Sequence, residues 1–155
     1  MTRTDKQMMG DLSECWVNEW LNSLGKDSKL AASRWDSKKD GICDGKLFEV
    51  KSGSLYVNEQ AFGVSKDQLP KLRGVNDIFF MLTRPHKKWS APRFSNYPEL
   101  GNVYHCTPDF KWYDNPNWKI RNGILIPVYQ KAWTFAFKLT PARIDEISQY
   151  APLYG

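Results

Sequence analysis

The chain has 155 residues, a length that fits one domain and buries roughly 68–70% of the unfolded surface, so neither disulfides nor a structural metal are needed for folding. Hydrophobic residues make up 41% and charged residues 25%, which excludes disordered, collagen-like and coiled-coil chains. A net charge of +5 and a pI near 9.1 suit a polyanionic partner, and equally a merely soluble basic protein.

The first element in chain order is a helix. Leu12, Trp16, Trp20 and Leu24, joined by Val17 and Leu21, follow the helical i, i+4 spacing and predict an amphipathic helix over 11–24. Asp11 is its expected N-cap and Gly25 its stop. Residues 26–36 read as polar connection with a short strand near Ala31 to Trp35. Asp44-Gly45 between two strand-like runs, ending in Lys46-Leu-Phe-Glu-Val-Lys51, is a strong hairpin signal.

Ser65-x-x-Gln68 has a capping-box pattern and opens a short helix. Ile78-Phe-Phe-Met-Leu-Thr83 reads as a buried strand, and 84–98 as a basic, aromatic loop. Val103 to Thr107, Gly123 to Tyr129 and Trp133 to Leu139 are further strands. Thr140 and Pro141 suit the N-cap and first position of a last helix. The whole predicts one α/β domain, residues 1–155, with a central mixed sheet flanked by helices.

Cys15, Cys43 and Cys106 are odd in number and widely spaced, which disfavours a zinc cluster or disulfide framework. A reducing, cytoplasmic setting is expected. The N-terminus lacks the apolar region of a signal peptide, and no apolar run is long enough to span a bilayer, so no membrane association is expected.

The hairpin carries the sharpest chemistry. With Asp44-Gly45 as a two-residue turn, Cys43 faces Lys46, Ile42 faces Leu47, Gly41 faces Phe48 and Asp40 faces Glu49. Lys51 lies two residues beyond Glu49 and points the same way. One sheet face would then carry Asp40, Glu49 and Lys51. Like charges opposed on a strand pair are destabilising. A divalent cation between them removes that cost, and Mg2+ takes one or two carboxylates with water and substrate phosphate. A lysine beside it can orient the attacking water and stabilise charge on the phosphate.

Asp40 followed by Glu49-Val50-Lys51 resembles the active-site motif of the PD-(D/E)XK nucleases, the restriction-endonuclease-like superfamily. Gly10-Asp11-Leu12-Ser13-Glu14 resembles their first helix, which often supplies an acidic residue. Ser65-Lys66-Asp67-Gln68-Leu69 resembles the start of the following helix, where a Gln or Lys often assists. The resemblance covers roughly residues 10–83. It implies that Asp40, Glu49 and the Val50 carbonyl bind Mg2+, with Mn2+ able to substitute. It further implies that Glu14 holds a second ion or a bridging water, and that Lys51 and Gln68 serve catalysis. Lys39, not Pro, precedes Asp40, so Asp36 stays open as the rival first carboxylate.

Simpler readings stand beside these roles. Glu14 lies three positions after Asp11 and fits a capping box, Gln68 fits a cap of its own helix, and Glu49 and Lys51 fit a solvated strand face. Arg84, Lys87, Lys88 and Arg93 form a basic loop suited to phosphate contact, or a solvated surface. Trp89, Trp112 and Trp118 are expected to pack rather than stack on bases. His86 and His105 do not make a zinc helix, and His105 and Cys106, adjacent on a strand, should point to opposite faces.

The resulting expectation is a Mg2+-dependent DNA endonuclease of restriction-endonuclease-like fold. A homodimer would suit cleavage of both strands of a duplex. The alternatives are a nucleic-acid-binding protein that keeps the fold without chemistry, and a protein-binding domain with an aromatic patch.

Overall fold

A computed structural model describes residues 5–33, 39–53, 55–56, 61–83, 99–110, 119–120 and 123–149. The first helix, α1, spans Asp5–Ser23. It begins well before the predicted start, so Asp11 lies within the helix and is not its N-cap. Gly25 ends it as expected: its φ of 82° is the left-handed conformation that glycine adopts without strain, and its N–H donates to the Asn22 carbonyl at 3.0 Å.

The strand expected near Ala31 instead occupies Ser28–Leu30 (β1). It pairs antiparallel with Gly41–Cys43 (β2), which turns into Lys46–Gly53 (β3). The register is the predicted one: Cys43 opposite Lys46, Ile42 opposite Leu47 and Gly41 opposite Phe48. Asp44 at φ 50° and Gly45 at φ 80° give both central turn residues positive φ, as a type I′ hairpin turn requires. A Cβ on Gly41 would overlap the Phe48 ring and lie 2.8 Å from the Lys29 carbonyl oxygen, so glycine is needed there.

Two short strands follow, Leu55–Tyr56 (β4) and Ala61–Ser65 (β5), then a 3-10 turn over Lys66–Gln68 and the helix α2 at Leu69–Arg73. Asp77–Leu82 (β6) runs parallel to β3, with Glu49 beside Ile78 and Lys51 beside Phe80. Its near-continuous apolar run suits a strand covered on both faces. Asn102–Cys106 (β7), Lys119–Ile120 (β8), Gly123–Tyr129 (β9) and Thr134–Lys138 (β10) complete the strands. The last helix, α3, is Pro141–Ser148; Thr140 caps it by accepting the Arg143 N–H at 3.4 Å, as its sequence predicts.

The architecture is α/β. A mixed six-stranded sheet has the order β1-β2-β3-β6-β7-β10, and a second sheet the order β4-β5-β9-β8. Strand alternation sorts the core into two layers. Phe48, Val50, Phe79 and Met81 face Trp16, Val17 and Leu21 of α1 and Ile147 of α3. Ile78, Phe80 and Leu82 face Phe62, Val64 and Val128 of the second sheet, with Leu69 and Leu72 of α2. Aromatic stacking reinforces both layers, Trp20 on Phe137 and Phe62 on Phe80, each at 4.5 Å between centroids. Among the described residues no helix is long and apolar enough to cross a membrane. Cys15, Cys43 and Cys106 are all free thiols.

Candidate active site

Glu49 and Lys51 sit on the central strand β3, on the face turned toward α2. Its cross-strand neighbour on that face, Ile78, belongs to the apolar core, and the Glu49 side chain is only 1% exposed. The solvated strand face that the sequence also allowed is therefore not what Glu49 occupies. A carboxylate so placed is costly unless charge or hydrogen bonds compensate it.

Asp40 reaches the same place by a local irregularity. The β2–β3 ladder ends at the Gly41–Phe48 pair, so Asp40 is not the ladder partner of Glu49. The chain bends there: the Asp40 N–H donates to the Phe48 carbonyl at 3.0 Å, and the Asp40 carbonyl accepts the Ala31 N–H at 2.8 Å. The Asp40 carboxylate turns inward, and its Oδ2 accepts the Val50 N–H at 2.7 Å. The side chain thus takes a main-chain donor of β3, which pins it beside Glu49. Asp36 lies outside the described residues.

Glu14 comes from α1 and hydrogen-bonds Asp40. Because α1 begins at Asp5, Glu14 is an interior helix residue rather than the partner in an N-terminal capping box. Gln68 is likewise not a cap. Ser65 precedes the 3-10 turn without a side-chain cap bond, and the Gln68 Oε1 instead accepts the Lys51 ammonium at 3.0 Å. Glu14, Asp40, Glu49, Val50, Lys51 and Gln68 are thus brought together by four elements. Arg84, Lys87, Lys88 and Arg93, with Trp89, Trp112 and Trp118, lie outside the described residues.

One member was not foreseen. Lys71 on α2 places its ammonium 3.1 Å from Glu49 Oε2 and 3.6 Å from Asp40 Oδ1. The available signal was its spacing, three residues after Gln68, which puts both on one helical face. Asp11, three residues before Glu14, joins the site from α1, lining with Glu14, Lys39 and Asp40 a pocket of about 230 Å3. The pocket opens Asp11, Glu14 and Asp40 toward solvent, while Glu49 lies behind them in the core.

The electrostatics follow from burial and crowding. Burial, then the Asp40 charge and hydrogen bond, push the Glu14 carboxyl up to about 8. Burial and the Asp40 hydrogen bond push Glu49 up to about 8 as well, against the pull of Lys51 and Lys71. Burial also opposes charge on Asp40. Hydrogen bonds from Glu49, the Val50 N–H and Glu14, with Lys71 beside it, outweigh that and hold Asp40 below its ordinary value. Burial works against the Lys71 ammonium too, but Glu49 and Asp40 raise it above the usual lysine value.

No protein-family model, curated protein or solved structure matches the chain.

Whether the residues suit a metal ion is a question of donors. Among the described residues, no group of three or more His, Cys, Asp or Glu side chains is arranged to hold one. Mg2+ does not need such a cage, since one or two carboxylates with waters and phosphate suffice. Asp40 and Glu49 are hard oxygen donors on adjacent elements. Glu49 Oε2 is buried and faces the Lys71 ammonium, at 3.1 Å, so the position beside it is one that a cation already fills. Two carboxylates sharing one cationic partner form a donor set that a divalent ion can also take.

His86 lies outside the described residues. His105 bonds Asp77 at 2.7 Å and lies against Phe79 on the α1 face, whereas Cys106 is buried on the opposite face. This is the separation that strand alternation predicts.

Proposed function

We propose that the chain is a Mg2+-dependent nuclease of restriction-endonuclease-like fold that hydrolyses phosphodiester bonds in DNA. The observation that carries this reading is the pairing of two carboxylates, Asp40 and Glu49, with an ammonium fixed two residues along the same strand. Lys51 is held in place by Gln68 at 3.0 Å rather than left to wander. The +5 charge supports a polyanionic substrate.

In this reading Asp40, Glu49 and the Val50 carbonyl hold the ion, and Glu14 serves a second ion or a bridging water. Mg2+, or Mn2+ in its place, would supply Lewis acidity and a water of lowered pKa. Lys51 donates hydrogen bonds to the attacking water or to the phosphate oxygens as negative charge grows on them. Water oxygen would bond to phosphorus as it gives up a proton, the phosphorus–oxygen bond to the leaving sugar would break in line, and a proton from solvent would neutralise the departing oxygen. Gln68 keeps the Lys51 ammonium aimed at that centre. Glu14 keeps Asp40 oriented from the α1 side. A homodimer would place two such sites on the strands of a duplex about one two-fold axis.

One observation favours a second reading, a nucleic-acid-binding protein that keeps the arrangement without chemistry. Lys71 already pairs with both carboxylates, in the place a metal would take. Cleavage decides between them. The purified chain is incubated with supercoiled, linear, single-stranded and branched DNA in Mg2+, Mn2+ or EDTA. Metal-dependent nicking supports the nuclease, and salt-sensitive binding without nicking supports the alternative.

A further inference from the structure

We propose that the Lys71 ammonium is the resident counter-ion of the carboxylate site, and that a divalent cation enters by displacing it. The inference rests on the metal-dependent reading above and adds a positioning residue to it. One ammonium faces an oxygen from each carboxylate, Glu49 Oε2 at 3.1 Å and Asp40 Oδ1 at 3.6 Å. That is where a cation shared by the two carboxylates would sit. Ammonium and metal cannot both stand against the same buried oxygen without mutual repulsion.

The placement of the two lysines supports an exchange. Lys51 donates to the Gln68 carboxamide, so its ammonium has a neutral partner that stays when a metal arrives. Lys71 faces the carboxylates themselves, and its side chain is 21% exposed at the rim of the site. A four-carbon stem on the short helix α2 allows the ammonium to swing outward while Glu49 stays in the core. Until then it supplies Asp40 and Glu49 with a counter-charge. Removing one partner of such a buried pair is costly unless another cation takes its place.

Displacement predicts that Lys71 weakens metal binding. Mn2+ binding to the full chain is measured by electron paramagnetic resonance for wild type, Glu49→Ala and Lys71→Met, the last keeping length and losing charge. Lys71→Met should bind Mn2+ about tenfold more tightly, the equivalent of one charge-assisted hydrogen bond no longer broken on entry. Its thermal midpoint should be lower than wild type in EDTA and rise further on adding Mn2+. Equal or weaker Mn2+ binding in Lys71→Met overturns the proposal.

A wild-type measurement stands independently of how that variant folds. Acetylation of Lys71 by acetic anhydride, followed by peptide mass mapping, should be slow in EDTA and several-fold faster at saturating Mg2+. An unchanged rate overturns displacement. The two readings fail differently. Mn2+ binding lost in Glu49→Ala but unaltered by Lys71→Met sinks displacement alone. Wild type binding no more Mn2+ than Glu49→Ala sinks the metal-dependent reading with it.

Discussion

The Asp40 carboxylate accepts the main-chain N–H of Val50 at 2.7 Å, so a side chain substitutes for a strand in the hydrogen bonding of β3. This places a charged group at the sheet's centre, one residue from Glu49. It also ties the site's geometry to backbone order, because Asp40 cannot leave without orphaning a buried donor.

Loss of either strand residue should separate chemistry from folding. Glu49→Ala and Lys51→Ala are each expected to lower metal-dependent DNA cleavage roughly 10²–10⁴-fold, with circular dichroism spectra like wild type. Wild-type cleavage rates in either folded variant would exclude these residues from the reaction.

Stability should decline between acidic and mildly alkaline pH. Glu14 and Glu49 titrate near 8 in the folded chain against an ordinary 4.5. Between those values the folded chain keeps protons that the unfolded chain releases, so stability falls as pH rises through about 8 and then levels. Asp40 has the opposite sign: lowered from 3.8, its contribution is present above that value and is lost as pH falls through its folded value. Urea midpoints in EDTA at pH 5, 6.5, 8 and 9 test this, with Glu14→Gln and Glu49→Gln flattening the decline. Mg2+ should restore more stability at pH 9 than at pH 6, because the ion needs the ionised carboxylates. A rise in stability from pH 5 to 8, unaffected by those variants, would contradict the assignment.

Gly41→Ala should destabilise the chain by about 1–3 kcal/mol, the usual cost of forcing a methyl into a packed core. The new Cβ would meet the Phe48 ring and the Lys29 carbonyl, and Asp40 is the next residue. A thermal melt reads the loss, and Mn2+ affinity should weaken with it. A variant as stable as wild type would mean that β2 shifts freely against Phe48.

Salt dependence tests the basic loop. If Lys87 and Lys88 both touch phosphate, changing them to Ala should weaken duplex binding alike for all sequences. The slope of log K against log salt should drop by roughly two. Unaltered affinity and slope would make the loop a solvated surface.

The hairpin was legible because its determinants are local. Asp44-Gly45 satisfies a two-residue turn, and a period of two then assigns Glu49 and Lys51 to one face and Phe48 and Val50 to the other. The same locality let Thr140 and Pro141 announce α3. The rest depended on contacts distant in sequence. The start of α1 was missed because its first turns carry no strong periodic signal, and that error made Asp11 look like a cap and Glu14 like its partner. Gln68 had a capping pattern, yet tertiary packing brought Lys51 within reach, and a charge-assisted bond won over a local one. Lys71 showed no motif. Only the packing of α2 against β3 brings it to Asp40 and Glu49, and only burial together with the mutual hydrogen bonds of the site moves those carboxyls from their ordinary titration. The sequence by itself determined the hairpin register and the strand face that Glu49 and Lys51 share. Desolvation, the bend at Asp40 and the counter-charge were decided by the tertiary structure, because each requires segments that meet only when the chain is folded.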